Sequence, residues 1–325
     1  MKFPVAVIVP VYNRRLKLIA TLESVVAQSK LPAMVIVVDD GSTDGTAEAA
    51  KNWLSPNAPF EWMVVRQETN AGVSVARNAG FDHLGELPFV CFLDSDDLWP
   101  ADFIAEGVSA LEESENTVAA VADRVTKRGP KRMPVQNLRS VVTNPLLWVI
   151  CNDGGILSCT MIRSSAARAS GLFAPGMLAS EDTDFLLRLF LLGGAAHSKA
   201  GPVVFIKNAP LESTEPRNLS HSSPDLKYLW THHFTHSVSR LPKSLLKEHG
   251  HLIGTEVARR WTDAALANRR VGKRVQAFNC LLQAMWWDHN WSRRLRLVSC
   301  FVQGRKFVQG RKQVDALYRT RVKTK

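Results

Sequence analysis

Four near-continuous apolar runs punctuate the first hundred residues: Pro4-Val5-Ala6-Val7-Ile8-Val9-Pro10, Met34-Val35-Ile36-Val37-Val38, Phe60-Glu61-Trp62-Met63-Val64-Val65 and Phe89-Val90-Cys91-Phe92-Leu93. Runs of this length and composition predict strands buried on both faces. Between them, Leu16 to Gln28 and Thr46 to Leu54 place apolar residues at helical spacing, the second with Ser42, Thr43 and Asp44 near its start. Repeated β-α-β of this kind predicts an α/β fold, an open, mainly parallel sheet with helices on both faces. Ligands bind such sheets at the carboxyl ends of the strands. There the chain carries four polar loops: Val11-Tyr12-Asn13-Arg14, Asp39 to Thr46, Asn70-Ala71-Gly72-Val73 and Asp94-Ser95-Asp96-Asp97. The last hundred residues read as helix, notably Ser244 to Arg270 and Val271 to Trp287.

The acidic loop is the sharpest chemical signal. Three carboxylates at the end of a buried strand repel one another unless a cation lies among them, and an Asp-x-Asp in that place suits a hard divalent metal with oxygen ligands. The alternative is a polar turn in which Asp96 or Asp97 caps the next helix. Asp39 or Asp40 can accept a hydrogen bond from a base's ring N–H, with Gly41 letting the backbone come close to a ligand. An ordinary strand-to-helix turn capped by Ser42, Thr43 or Asp44 is the competing view. Arg77 can supply a fixed cation for phosphate, or its stem can run along apolar surface to solvent. Counted from Asp94, the fifth and sixth positions are Leu98 and Trp99, so this is no standard calcium loop. Neither a phosphate-binding Gly-x-x-x-x-Gly-Lys nor a dinucleotide Gly-x-Gly-x-x-Gly is present.

Taken in order and spacing, Val9 to Arg14, Val38 to Thr46, Asn70 to Asn78 and Leu93 to Asp97 resemble the nucleotide-sugar-binding half of family 2 glycosyltransferases with the GT-A fold. Gly171-Leu172-Phe173 followed by Ser180-Glu181-Asp182-Thr183-Asp184 resembles the family's acceptor-side segment, and the likeness spans about residues 3 to 220. It implies a catalytic domain over 1–222, divided into a donor half, 1–100, and an acceptor half, 101–222, with a basic helical region over 223–325. It also implies a nucleoside-diphosphate sugar as donor, a UDP-sugar favoured, bound by Pro10, Tyr12, Asn13, Asp39, Asp40, Gly41, Asn70, Arg77, Asp94 and Ser95. In that scheme Pro10 shapes the turn, Tyr12 lies against the base and Asp39 binds it. Asp96 is the direct ligand of a divalent cation, Mn or Mg, and Asp94 sits nearer the ribose or shares the metal. Asp182 is the base that takes the acceptor's proton, with Glu181 as the fallback; the competing view makes Ser180-Glu181-Asp182 a capped helix start. A single displacement with such a base inverts the anomeric carbon. His221 is a further candidate contact to metal or diphosphate.

Departures from the family narrow the expectation. Processive synthases carry Gln-x-x-Arg-Trp, whereas Val257 precedes Arg260-Trp261 here, which points to addition of one sugar. The family's common acceptor is a bacterial surface polysaccharide or a lipid-linked glycan.

Charge changes the picture at the far end. The chain's net charge of +11 is uneven: residues 240–325 hold 20 Lys or Arg against 5 Asp or Glu, leaving 21 against 25 before them. Trp261, Trp286, Trp287 and Trp291 stand among these cations, and Phe301 to Lys306 repeats as Phe307 to Lys312. A basic segment with interleaved aromatics suits an anionic membrane surface. The alternative is a solvated basic bundle whose tryptophans pack on the catalytic domain. Five cysteines with no Cys-x-x-Cys, and no 18-residue apolar stretch, predict reduced thiols and no membrane-spanning helix. The expected setting is cytoplasmic, with attachment to the membrane's inner face if the tail serves that purpose. His221, His232, His233 and His236 are read as a helix face rather than a zinc site. Two other classes remain: a sugar-nucleotidyltransferase, which by resemblance needs a Gly-rich, Arg-containing first loop, and a nucleic-acid-binding protein, which leaves the four strand-end loops unexplained.

Overall fold

The computed structural model describes residues 2–128, 131–152, 155–207, 223–288 and 290. Described residues of 2–177 and 181–207 form one compact unit, and 178–180 with 223–288 and 290 form a second. The first unit runs β1 (Lys2–Val11), α1 (Arg15–Val26), β2 (Leu31–Asp39), α2 (Thr46–Asn57), β3 (Glu61–Arg66), α3 (Val73–Phe81), β4 (Phe89–Phe92), β5 (Asp97–Leu98) and α4 (Phe103–Glu112). It continues through β6 (Thr117–Val121), β7 (Arg124–Arg128), β8 (Lys131–Arg132), α5 (Pro145–Cys151), β9 (Thr160–Arg163), α6 (Ser164–Ala169), α7 (Glu181–Phe190), β10 (Gly194–His197) and β11 (Val203–Lys207).

Seven strands form the main sheet in the order β10-β6-β9-β4-β1-β2-β3, parallel except for β9, which runs against β4 and β6. All four strands expected from the apolar runs are in it. Cross-strand partners share a face, so Val7, Cys91 and Met161, aligned in register, look one way and Ile8 looks the other. A Cβ on Gly107 of α4 would meet Met161 at 2.8 Å, and one on Gly80 of α3 would meet Ile8 at 2.5 Å. Helices therefore cover both faces. A second sheet, β5-β11-β7-β8, lies outside the sequence expectation, because β5 and β8 are two residues each and leave no periodic trace.

Strand order reverses at β1: β2 and β3 lie on one side of it and β4 on the other. Such a reversal opens a crevice beyond the carboxyl ends of the two strands that flank it. Pro10 marks the opening and corrects the expected turn role, since it lies inside β1 opposite Val38. Ile8 accepts from Leu93 N on the β4 side, where β4 pairing ends, and Pro10 has the same parity. Its missing N–H thus costs no ladder bond.

The second unit contains α8 (Pro224–Ser239), α9 (Lys243–Arg270) and α10 (Arg274–Trp287). Gly272, at φ +81°, ends α9: Gly272 N donates to Arg269 O and Lys273 N to Asn268 O, a Schellman closure that starts α10 three residues later than the periodicity implies. Trp261 packs inside this unit, edge-on to Tyr228, and Arg260 lies over Phe234 at 3.7 Å. Among the described residues no helix is long and apolar enough to cross a membrane. The described cysteines 91, 151, 159 and 280 form no disulfide. His221, Trp291, Cys300 and the tandem hexamer lie outside the described residues.

Candidate functional site

Four strand-end loops are tied to one another by named polar contacts. Asn13, at φ +51°, donates its backbone N–H to Ser42 Oγ at 2.9 Å, while its Oδ1 accepts from Thr43 N at 2.8 Å. This joins the loop after β1 to the loop after β2. Asp40 joins the second to the third: Oδ1 accepts from Ala71 N at 2.8 Å and Oδ2 from Gly72 N at 3.0 Å. Gly41 permits that approach. At φ +73°, a Cβ there would lie 2.7 Å from Asn70 N, so the crowding comes from the neighbouring loop's backbone, where the sequence implied a ligand. Asn70 itself is exposed, and Tyr12 is half-buried at the crevice. Arg14 NH1 meets Asp96 Oδ2 at 3.2 Å, linking the loops after β1 and β4 across the crevice.

The doubled aspartate divides its work. Both oxygens of Asp40 receive backbone N–H groups. Asp39, fully buried, accepts from Ser42 N through Oδ1 at 3.2 Å, while its Oδ2 accepts no hydrogen bond and has Arg66 Nε 3.6 Å away. Burial raises the Asp39 pKa against the opposing pull of Ser42 and Arg66. A buried acceptor without a donor calls for a partner, which an N–H of a bound base would supply.

Arg77, expected as a fixed cation, is held in place by two acids: its side chain is buried, with NH2 donating to Asp94 Oδ1 at 2.9 Å and NH1 to Glu181 Oε1 at 3.1 Å. Burial opposes the guanidinium's charge, yet Asp94 and Glu181 outweigh it and raise the pKa. Beneath lies an aromatic floor: Phe173 stacks on Phe185 at 4.4 Å, meets Phe92 edge-on at 4.9 Å and carries Arg77 over its ring at 5.0 Å. Asn78 clamps Phe173 by a paired bond, Nδ2 to Phe173 O at 2.8 Å and Phe173 N to Oδ1 at 3.1 Å. Arg188 braces the turn before it through the carbonyls of Ser170 and Leu172. Leu172 holds φ +56° there, a conformation that side chains rarely adopt without such support.

Asp182 opens α7 beside this ion cluster. Its Oδ1 accepts from Thr183 N at 2.7 Å and its Oδ2 from Gly155 N at 3.1 Å, and Gly155 O in turn accepts from Arg124 NH1. Burial and the charge of Glu181 push the Asp182 pKa up to about 6, against the pull of Arg77. Ser180 does not cap α7; at φ +61° its hydroxyl donates to Trp230 O within the second unit.

Asp94 and Asp96 are the acids placed to hold a metal in this loop. Asp94 Oδ2 takes no hydrogen bond, its side chain is 41% exposed, and its backbone N–H is fixed by Ser158 Oγ. Ser95 between them is buried. Among the described residues no group of three or more His, Cys, Asp or Glu can hold a metal alone. Asp94 with its open oxygen, and Asp96 two residues on with Oδ2 3.2 Å from Arg14 NH1, fit a hard cation whose remaining ligands are phosphate oxygens and water.

Several of these groups escaped sequence reasoning. Arg14 and Asn78 stood inside the loops and helix already singled out, but nothing in spacing tells which acid or carbonyl each will meet. Ser158, Gly155 and Arg124 come from the 125–180 region and its borders, which carries no recognisable motif.

Residues 6–167 match the family model described as Glycosyl transferase family 2. Among curated proteins, the chain is 33% identical over 146 residues to the uncharacterized glycosyltransferase YibD of Escherichia coli, covering 43% of this chain and 41% of that one. It is 37% identical over 109 residues to the putative teichuronic acid biosynthesis glycosyltransferase TuaG of Bacillus subtilis, covering 34% and 42%. The matches thus span less than half the length of these relatives. Among solved structures, residues 1–349 of S. aureus TarS in complex with UDP-GlcNAc superpose with a TM-score of 0.62 at 18% identity, over 88% of this chain and 81% of that one. The mannosyltransferase PcManGT of Pyrobaculum calidifontis, in complex with GDP-Man and Mn2+, gives 0.60 at 18% identity, over 98% and 85%. At such identities the likeness is one of fold, the GT-A fold. With its strand-end loops, its switch-point crevice and the matched family model, the chain belongs to glycosyl transferase family 2.

Proposed function

We propose that this chain transfers one sugar from a nucleoside-diphosphate sugar, a UDP-sugar favoured, to an acceptor hydroxyl with inversion. The observation that carries the proposal is Arg77: one buried guanidinium joins Asp94 of the donor loop to Glu181, next to the carboxylate with the raised pKa. Asp39, through Oδ2, which accepts no hydrogen bond within the chain, accepts the N–H of the base, and Tyr12 and Asn70 border the nucleotide. Asp182 accepts the acceptor's proton as the acceptor oxygen attacks the anomeric carbon. The bond to the diphosphate breaks on the opposite face, so the configuration inverts. A divalent cation, Mn or Mg, held by Asp96 and Asp94 would neutralise the charge that develops on the leaving diphosphate. Glu181, ion-paired with Arg77, positions Asp182 instead of replacing it. Relatives concerned with teichuronic acid and amylovoran biosynthesis support a bacterial surface glycan or a lipid-linked precursor as acceptor. The cationic C-terminal region supports work at an anionic surface. The four strand-end loops and the matched family model weigh against the nucleotidyltransferase and nucleic-acid alternatives.

The test is nucleotide release from a panel of UDP-, GDP-, dTDP- and CMP-sugars, by the native chain and by Asp182→Asn. One donor class should be consumed, and the substitution should slow release roughly 10²–10⁴-fold while donor binding persists. Consumption of none would refute the donor assignment; an unchanged rate would remove Asp182 from the chemistry.

A further inference from the structure

The helical unit carries a surface that donor chemistry does not use. On α10, Ala277, Cys280, Leu281 and Ala284 are buried on the side that packs with α9. On the other side Val275, Phe278, Leu282 and Trp286 are 77%, 50%, 47% and 78% exposed. Their spacing of 3, 4 and 4 residues puts them in one row, about 16 Å long at the rise of an α-helix. Exposed apolar residues scattered singly are ordinary, whereas a continuous row containing Phe and Trp marks a contact surface.

Charge identifies what the row meets. Arg269, Arg270 and Arg274 flank the start of α10, which contains no Asp or Glu from 274 to 287. The sequence after it, 291–325, holds 11 Lys or Arg against one Asp. A second copy would bring two strongly basic chains together, and like charges across an interface repel. An anionic bilayer answers both properties, because the headgroup boundary accepts aromatic and aliphatic side chains while lipid phosphates attract the cations.

We propose that the exposed row Val275, Phe278, Leu282 and Trp286 on α10 seats this chain on an anionic lipid surface. The proposal rests on the anionic-surface reading of the C-terminal region and assigns the face that inserts. It is tested by flotation of the full chain with vesicles of phosphatidylcholine, alone or with about one third phosphatidylglycerol, using the native chain and the double variant Phe278→Ser, Trp286→Ser. The native chain should float with the anionic vesicles only. The variant, with an unchanged circular dichroism spectrum and cooperative melt, should bind them at least about tenfold more weakly. Equal flotation of both would overturn the assignment of the row and leave the basic region as the binder. No flotation of the native chain would overturn both readings. A concentration-dependent dimer dispersed by the substitutions would make the row an interface between copies, contrary to the proposal.

Discussion

At the scale of the residue, the account turns on carboxylates whose neighbours differ. Asp182 is held near pH 6 by burial and by Glu181, with Arg77 pulling the other way. A base must be deprotonated to act, so kcat/KM should be level above that pH and fall about tenfold per unit below it. The sign for stability is the opposite. With a pKa above the ordinary carboxylate value of about 4, the folded state takes up a proton between roughly pH 4 and 6, so this group favours folding in acid and the benefit fades as pH rises through about 6. Arg77→Met removes the cation that lowers the Asp182 pKa, so the acid limb should move upward. It also leaves Asp94 and Glu181 uncompensated, at a cost of about 2–4 kcal/mol, somewhat below that of a fully buried pair because Asp94 reaches solvent. A pH–rate profile and urea unfolding check the two outcomes together. An unshifted limb would mean that Arg77 does not govern Asp182.

At the scale of the element, each loop is held by its neighbour, and this separates two adjacent aspartates. Asp40→Ala should destabilise the fold by about 1–2 kcal/mol, because Ala71 N and Gly72 N lose a charged acceptor. Nucleotide affinity should then fall only as far as the loop loosens. Asp39→Asn should leave stability unchanged or raised, since burial already opposes that charge, and weaken nucleoside diphosphate binding by roughly 10- to 100-fold. Thermal unfolding and calorimetry on the same two variants check the split. The elements were legible where apolar periodicity dictates them: β1 to β4, α1, α2 and α9 follow from runs of Val and Ile or from helical spacing. The small sheet was not, because Asp97–Leu98 and Lys131–Arg132 are too short to show a period and are strands only by virtue of their partners. For Pro10 and Gly41 the structural reasons differ from the expected ones. One sits where a ladder ends, and the other meets the backbone of residues 69 and 70, a fact that exists only once the chain has folded. Which aspartate of the pair keeps an oxygen without a hydrogen bond was equally hidden, as it depends on where two amides arrive from about thirty residues downstream.

At the scale of the whole molecule, chemistry and charge lie in different units. The first unit holds the acidic crevice, and the second concentrates cations and an apolar row on helices. The order of motifs along the chain made the family legible, because four loops at strand ends imply one crevice in a parallel sheet. The partners of Asp94 and Asp182 were not legible, because Ser158, Gly155 and Arg124 reach them through position in the fold rather than through any motif. What the proposed function asks of the assembly of loops is that it bind a nucleoside diphosphate together with a metal. The most direct measurement is isothermal calorimetry of the chain with UDP, GDP, dTDP and CMP, each in Mn2+ and in EDTA, for the native protein and Asp96→Ala. The account predicts binding of one nucleotide class, UDP favoured, strengthened by Mn2+ and lost or metal-independent in Asp96→Ala. Binding of none, or binding indifferent to both metal and Asp96, would contradict it.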